Sequence, residues 1–227
     1  MKRLKSGSLP AKADGQKQRW FYHTILKPLM DRAKKGEISL LYLDASHFVM
    51  GCDFLGYLYG RVRRFVKTFS GRRRYNVLGA LDFISKKVTT ITNDSYITAC
   101  EVCELFKKIA KAYAGRTVFV VLDNAKYQKC TVTGELAEQL GINLVFIPPY
   151  SPNLNLIERF WKFVKDRLRP RYYNQSELFR EQIDSIINRS DNLNKEITDR
   201  LIGEKVQLFD DLIAVNENSF MRNQEAT

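Results

Sequence analysis

Two of the most apolar segments of the chain each contain a single carboxylate. Residues 38–51, ISLLYLDASHFVMG, hold Asp44, and residues 116–124, RTVFVVLDN, hold Asp123 near their C-terminal end. Their length and their content of Leu and β-branched residues are typical of central β-strands. Because burying a lone carboxylate costs free energy, each acid requires a compensating group. Any fold of this chain must therefore place a compensating group beside each of these two acids.

The order of the predicted elements indicates the fold class. Strand-like segments come first, and helix and strand then alternate, which predicts a mixed α/β sheet with helices on both faces. Strands are predicted at 38–51, in a basic region up to residue 83 that has the pattern of strands or a hairpin, and at 86–92, 116–124 and 142–150. Helices are predicted at 18–36, from Asn93 or Asp94 to about Tyr113 with Gly115 closing it, at 133–141, after the turn at 148–152, and beyond Asn174.

A third acid lies on the helix that follows a proline-rich turn. In residues 148–165, PPYSPNLNLIERFWKFVK, the turn ends a strand and places Glu158 on the first turns of the helix. Three carboxylates without a cysteine or histidine cluster suit Mg²⁺ or Mn²⁺, which prefer oxygen ligands. Two such ions can activate a water or a 3′-hydroxyl for in-line attack on a phosphodiester. Asp44 would then bridge both ions, with Asp123 and Glu158 each completing one shell; the alternative is three separate structural acids.

The charge of the chain favours a polyanionic partner. Its 37 Lys and Arg against 25 Asp and Glu give a net charge of +12. Basic side chains that neutralise phosphates release condensed counterions, so this excess indicates nucleic acid, although a merely basic protein is the alternative. No apolar run is long enough to span a bilayer and no signal peptide is visible, so we expect no membrane association and a cytoplasmic location.

The C-x-x-C pair Cys100 and Cys103 does not predict a zinc site. A second cysteine pair or two suitably spaced histidines would be needed, and the chain has only His23 and His47. We expect both cysteines to be small core residues.

Four segments together resemble a known enzyme family. LYLDASHF, VVLDNAKYQKC and IPPYSPNLNLIERFWKFVK resemble the three catalytic blocks of DDE transposases of the mariner superfamily, in its bacterial insertion-sequence branch. RYNVLGAL resembles the family's strand between the first two acids. The last block is the most specific, and the 34 residues between Asp123 and Glu158 match the family's spacing. The resemblance covers about residues 39–169. It departs from the family at Gln128, where many members have His, and at Leu156, where others have Pro.

The resemblance implies an RNase H-like catalytic core with a mixed five-stranded sheet flanked by helices. It implies an enzyme that cuts transposon ends and joins them to target DNA, at TA sites, by a two-metal mechanism with Mg²⁺ or Mn²⁺. Asp44, Asp123 and Glu158 match the catalytic, metal-binding acids. Asn124 matches the residue after the second acid and would orient the metal shell or a phosphate. His47 lies either near the metals or on the strand as an ordinary histidine.

Basic residues around the predicted hairpin and on the last block are candidate DNA contacts. They would hold phosphates and position the duplex without reading its sequence. The alternatives are a solubilising hairpin and a solvated helix face. The candidates are Arg61, Arg63, Arg64, Arg72, Arg73, Arg74, Lys126, Lys162 and Lys165.

The predicted domain organisation has three parts. Residues 1–36 form a basic lead-in with one helix, 37–172 the RNase H-like DDE core, and 173–227 a C-terminal helical extension. About 38 residues before the first catalytic strand are too few for the family's helix-turn-helix domains. We therefore expect a separate N-terminal module, from a split gene, or else a truncated or degenerate copy. Double-stranded DNA, a homodimer in the active complex and a bacterial, nucleoid-associated location follow from the resemblance.

Two other functions remain open at this stage. An RNase H-fold nuclease without strand transfer would use the same acids, and an inactive DNA-binding remnant would keep the fold. The last block, IPPYSPNLNLIERFWKFVK, argues against the nuclease, and the three intact acids argue against the inactive remnant.

Overall fold

The computed structural model describes residues 12–50, 73–168, 173, 175–189, 206 and 208–209. The predicted DNA contacts Arg61, Arg63, Arg64 and Arg72 lie outside these residues, as does nearly all of the chain beyond residue 190 that was predicted to be helical.

Five strands of the described chain form one mixed sheet. They are β1 (Ser39–Met50), β2 (Arg73–Asp82), β3 (Val88–Asn93), β4 (Val118–Leu122) and β5 (Ile142–Phe146), in the order β3-β2-β1-β4-β5. β1 pairs antiparallel with β2 and parallel with β4, β2 pairs antiparallel with β3, and β4 pairs parallel with β5. The predicted mixed five-stranded sheet is confirmed, and both acidic segments lie on adjacent inner strands.

Helices cover both faces of the sheet. A continuous helical segment runs through α1 (Gly15–Phe21), a π-helical stretch (Tyr22–Leu26) and α2 (Lys27–Lys34), where a single helix was predicted. The others are α3 (Ala99–Ala112), α4 (Thr131–Gln139), α5 (Ile157–Leu168) and α6 (Ser176–Asn188). None of the described helices is long and apolar enough to cross a membrane.

The alternation of side chains along β1 divides the core into two clusters. Leu40, Tyr42 and Phe48 pack with residues of α1, α2, α5 and α6 on one face. Leu41 and Leu43 pack with residues of α3 and α4 on the other. Successive residues of a strand point to opposite faces, so the phase of β1 decides which helices its polar residues meet.

Helix α3 begins later than predicted. Its N-cap is Thr98, and a capping box forms with Glu101, whose Oε2 accepts from the Thr98 N–H at 2.7 Å. Asn93 instead ends β3, because its amide pairs with Asn76 and the β3–α3 connection. The helix ends as predicted, before Gly115, which has a positive φ of 78°.

The predicted burial of the C-x-x-C cysteines is wrong. Cys100 is exposed and Cys103 is half-buried. The buried stripe of α3 consists of Val102, Leu105, Phe106 and Ile109. The cysteines lie beside this stripe, because α3 buries only one face.

Helix α5 lies close to the sheet at Gly79 of β2. Gly79 is the register partner of Asp44. A Cβ atom at position 79 would lie 2.8 Å from Cη2 and Cζ2 of Trp161 and 3.3 Å from Cδ1 of Ile157. The absence of a side chain therefore lets the indole rest on the strand beside Asp44. Phe160 and Val164 also anchor α5 in the core.

The flanking helices share the core of the sheet. Phe21, Leu29 and Met30 from the N-terminal helical segment and Phe179 and Ile183 from α6 belong to the cluster that contains α5. The predicted domain boundaries near residues 36 and 172 stay a prediction.

A hydrogen bond also ties α6 to the sheet. The Tyr75 hydroxyl lies 3.0 Å from both carboxylate oxygens of Asp184. This contact joins β2 of the predicted core to the predicted C-terminal extension.

Candidate active site

The two strand acids are adjacent across the centre of the sheet. The parallel pairing of β1 with β4 runs through Tyr42 opposite Val121, and Asp44 and Asp123 each follow two residues later. Both acids are in phase with residues of the cluster that contains α5. Neighbouring strands lie about 4.8 Å apart. The register therefore brings both carboxylates to the α5 face of the sheet, next to the C-terminal end of β4.

The proline-rich turn brings Glu158 to the same part of the sheet. After β5, Tyr150 adopts a positive φ of 58°, and a 3₁₀ turn (Pro152–Leu154) leads into α5. The Asn155 side-chain amide donates to the Leu43 carbonyl at 2.9 Å. The Glu158 N–H donates to the Asn155 carbonyl at 3.2 Å. The turn thus sets the first turn of α5 against the strand that carries Asp44.

One open cavity of about 240 Å³ contains all three acids. Its walls come from the middle of β1, from the residues that directly follow β4 and from the segment that joins β5 to α5. The lining residues are Asp44, Asp123, Asn124, Ala125, Ile147, Pro148, Pro149, Tyr150, Ser151, Pro152, Asn155 and Glu158.

The acids repel one another in this cavity. Burial, the Glu158 carboxylate and, more weakly, Asp123 raise the pKa of Asp44 to about 8. Burial also raises the pKa of Glu158, with Asp123 adding to the rise and Lys165 opposing it. Glu158 is exposed as a residue, although burial near the sheet is the largest cause of the rise in its pKa. The negative charge of the acids is only partly compensated by Lys165.

The donor set fits a divalent cation by its chemistry. Carboxylate oxygens in a solvent-open cavity suit Mg²⁺ or Mn²⁺. Within the described ranges, no three His, Cys, Asp or Glu side chains are close enough to form a ready-made metal site. The cavity therefore provides the ligands, and its uncompensated negative charge favours a cation that would draw them together.

The sequence match decides the family. Residues 39–180 match the model of the DDE superfamily endonuclease family. The matched segment is more than half of the chain and includes all three acids. This chain belongs to the DDE superfamily endonuclease family. Its fold is that of a DDE-type transposase or integrase catalytic domain.

Solved structures of transposases share the fold of this chain. A paired-end complex of the Mos1 transposase with the left transposon end matches with a TM-score of 0.60 and 13% identity, covering 91% of this chain and 68% of the other. The Mos1 strand transfer complex matches with a TM-score of 0.59 and 13% identity, covering 91% and 67%. Further matches are Mos1 paired-end complexes with Mn and with Mg.

The chain spans about two thirds of the Mos1 chains. A chain of a simian T-cell lymphotropic virus intasome matches with a TM-score of 0.49 and 14% identity, covering 68% of this chain and 49% of its own length. No curated protein sequence matches this chain significantly.

The predicted residues around the acids divide into two groups. Asn124 lines the cavity, and its amide donates to the Ile147 carbonyl at 2.6 Å, which joins the ends of β4 and β5. His47 is not among the described residues that line the cavity. It lies three residues after Asp44, an odd step that turns it to the opposite face of β1, where its Nδ1 pairs with Asn76 Oδ1 at 2.6 Å.

The described basic candidates lie outside the cavity lining. Arg73, Arg74, Lys126 and Lys162 are exposed, and Arg73 donates to the Ser176 hydroxyl at 3.1 Å. Lys165 is half-buried, with its Nζ 5.7 Å from the centre of the Phe48 ring. Of these residues, Lys165 acts directly on the electrostatics of Asp44 and Glu158.

Several residues of the candidate site were not predicted. Tyr150, Ser151 and Asn155 line the cavity, although Glu158 was the only cavity residue selected from their segment. Tyr127 lies near the acids, since burial, Asp123 and Asp44 raise its pKa to about 12. The motif Y-S-P-x-L-N was the available signal for the first three, but the sequence did not show what each side chain would contact.

Proposed function

We propose that this protein is the catalytic domain of a transposase that cleaves DNA strands at transposon ends and transfers them to target DNA. One observation carries the proposal. Asp44, Asp123 and Glu158, from three different elements, line a single solvent-open cavity in a chain of the DDE endonuclease family. The Mos1 structures with a transposon end and after strand transfer support the choice of substrate.

The three acids would hold two Mg²⁺ or Mn²⁺ ions. Asp44, on the central strand, would contribute to holding both ions, and Asp123 and Glu158 would each hold one. Bound ions would activate a water or 3′-hydroxyl and stabilise the leaving oxygen. Asn124 would hold the loop after Asp123 in place. Lys165 would keep positive charge beside the site, where it can meet a DNA phosphate.

The proposed partners are DNA, a second copy of this chain and a separate DNA-reading module. The substrate would be double-stranded DNA, with TA target sites, in a complex of two copies of this chain. A separate helix-turn-helix module would read the transposon ends. A nuclease without strand transfer and an inactive DNA-binding remnant are the alternatives, and assays of joining and of cleavage separate them.

Glu158→Gln tests the proposed function. We expect it to reduce Mg²⁺-dependent cleavage and joining of DNA carrying the element's ends by about 100-fold or more, because a charged metal ligand is lost. The matched control is Glu104→Gln, which removes an exposed acid from α3 on the opposite face. Cleavage products and joined products are quantified separately on gels, with folding checked by circular dichroism.

The outcomes separate the alternatives. Cleavage without joining by the wild-type protein would favour the nuclease. Equal activity of wild type and Glu158→Gln would contradict the proposal. If the wild type is inactive, the assay is repeated with the N-terminal module supplied, and continued inactivity would favour the remnant.

Lys162→Glu tests the proposed DNA path along α5. Lys162 lies one helical turn after Glu158 and is exposed, so both residues share one face of the helix. If Lys162 neutralises a phosphate, its reversal should weaken DNA binding and reduce the slope of log K against log salt by about 1. The control is Lys111→Glu on α3, which changes net charge equally on the far face. An equal change in slope for both variants would show a net-charge effect and would exclude a contact at Lys162.

A further inference from the structure

Asn155 connects the two elements that carry Asp44 and Glu158. Its side-chain Nδ2 donates to the carbonyl of Leu43, the residue directly before Asp44, at 2.9 Å. Its backbone carbonyl accepts from the N–H of Glu158 at 3.2 Å. A single residue thus bridges the backbone beside one acid and the backbone of another. The side-chain hydrogen bond joins two residues that are 112 positions apart in the chain.

The bond has few ways to relax. Asn155 is 3% exposed, and both partners belong to packed elements, since Leu43 is fully buried in β1 and Ile157 of α5 is fully buried. β1 is extended past Leu43 by its pairing with β2, so the Leu43 carbonyl cannot move without the sheet. If the amide were removed, the Leu43 carbonyl would lose this buried hydrogen bond, which is unfavourable.

The Asn155 side chain also contributes to the cavity. Asn155 lines the cavity with the three acids. Its Oδ1 is buried and has no hydrogen-bond partner among the described residues. A buried amide oxygen that is left unpaired is disfavoured unless a water or ion serves it. Asn155 therefore contributes both to the cavity and to the packing of the turn.

We propose that Asn155 is a positioning residue that fixes the separation of Asp44 and Glu158 and thereby the affinity of the site for a divalent cation. The inference rests on the proposed metal-binding role of these acids. Asn155 acts through backbone contacts and is not itself assigned as a ligand. Residues that orient metal ligands typically change metal affinity by about 10–100-fold when they are replaced.

The test measures cation binding without DNA. Mn²⁺ binding to wild type, Asn155→Ala and Asn155→Ser is followed by the electron paramagnetic resonance signal of the free ion. Both variants are expected to bind Mn²⁺ at least tenfold more weakly, because neither side chain can reach the Leu43 carbonyl. In cleavage assays, the Mg²⁺ concentration at half-maximal rate should rise while saturating Mg²⁺ restores much of the rate.

A second buried asparagine provides the control. Asn76 is fully buried, and its Nδ2 donates to the Ser95 carbonyl at 2.8 Å and to Asn93 Oδ1 at 3.0 Å. It belongs to the opposite face of the sheet and does not line the cavity. Asn76→Ala should lower the melting temperature at least as much as Asn155→Ala and leave Mn²⁺ affinity within about twofold of wild type. A general loss of stability would instead weaken Mn²⁺ binding in both.

The outcomes distinguish this inference from the proposed function. If wild type binds Mn²⁺ and both Asn155 variants bind it equally well, the inference is wrong and the proposed function stands. If Asn76→Ala weakens binding as much as Asn155→Ala, the positioning role is also wrong. Absence of Mn²⁺ binding by the wild type would overturn both. The Ser variant keeps the test valid if the Ala variant does not fold.

Discussion

Asp44→Asn should abolish Mg²⁺-dependent cleavage and, at the same time, make the metal-free protein more stable at alkaline pH. The reason is that the folded protein raises the pKa of Asp44 from 3.8 to about 8, through burial and the nearby Glu158 and Asp123 carboxylates. Folding therefore favours the protonated form. As pH rises from about 4 to about 8, the unfolded chain ionises Asp44 more readily than the folded one, so stability is lost across this window.

Urea unfolding at pH 4.5 and pH 9 without metal measures this effect. Asparagine cannot ionise, so the stability gain of Asp44→Asn should be small at pH 4.5 and on the order of a few kcal/mol at pH 9. Mg²⁺ at pH 9 should stabilise the wild type and leave the variant nearly unchanged, because bound cations offset the repulsion. Glu104→Gln serves as the control and should show no such pH dependence.

A stability gain that is equal at both pH values would contradict the prediction. It would mean that the ionisation of Asp44 does not oppose folding, and that the three carboxylates do not repel one another strongly in the cavity. Cleavage that survives the substitution would remove Asp44 from the metal site.

The positions of the acids could be predicted because strong local patterns carry them. Apolar strand segments and a proline-rich turn before an aromatic helix are signals within a few residues, and they placed Asp44, Asp123 and Glu158 on β1, at the end of β4 and on α5. Asp44 and Asp123 are neighbours because β1 and β4 are adjacent and parallel in the sheet. The alternation of helices and strands predicted a mixed sheet but did not give this strand order.

Two predictions could have been improved from the sequence alone. His47 is an odd number of residues from Asp44, so strand alternation already places it on the other face. Thr98 and Glu101 form the T-x-x-E pattern of a capping box, a stronger helix start than Asn93 or Asp94. In both cases a pattern of neighbouring residues already predicts what the structure shows.

Other features depend on contacts between distant residues and carry no local signal. The bond from Asn155 to Leu43 joins residues that are 112 positions apart. The contact of Trp161 with Gly79 depends on the depth at which α5 lies on the sheet. Neither residue's partner can be read from spacing or composition, because packing of the whole cluster decides it.

Gly79→Ala should destabilise the protein by about 1–3 kcal/mol and reduce cleavage, because the added Cβ would meet Cη2 and Cζ2 of Trp161 at 2.8 Å. The clash involves a fully enclosed indole, so relief requires α5 to move away from β2 or the indole to change rotamer. Movement of α5 would shift Glu158 relative to Asp44, the register partner of Gly79. Loss of activity should therefore exceed what the loss of folded protein explains.

Trp161→Phe provides the test of this mechanism. Phenylalanine lacks the two indole carbons that the new Cβ would meet, and it removes a buried Nε1 that has no hydrogen-bond partner among the described residues. The double variant should be more stable than the sum of the single effects predicts, by about 1 kcal/mol or more. Urea unfolding of the four proteins gives this coupling energy, and cleavage rates show whether activity recovers with it. Additive effects would mean that the indole does not limit how closely α5 approaches the strand of Gly79.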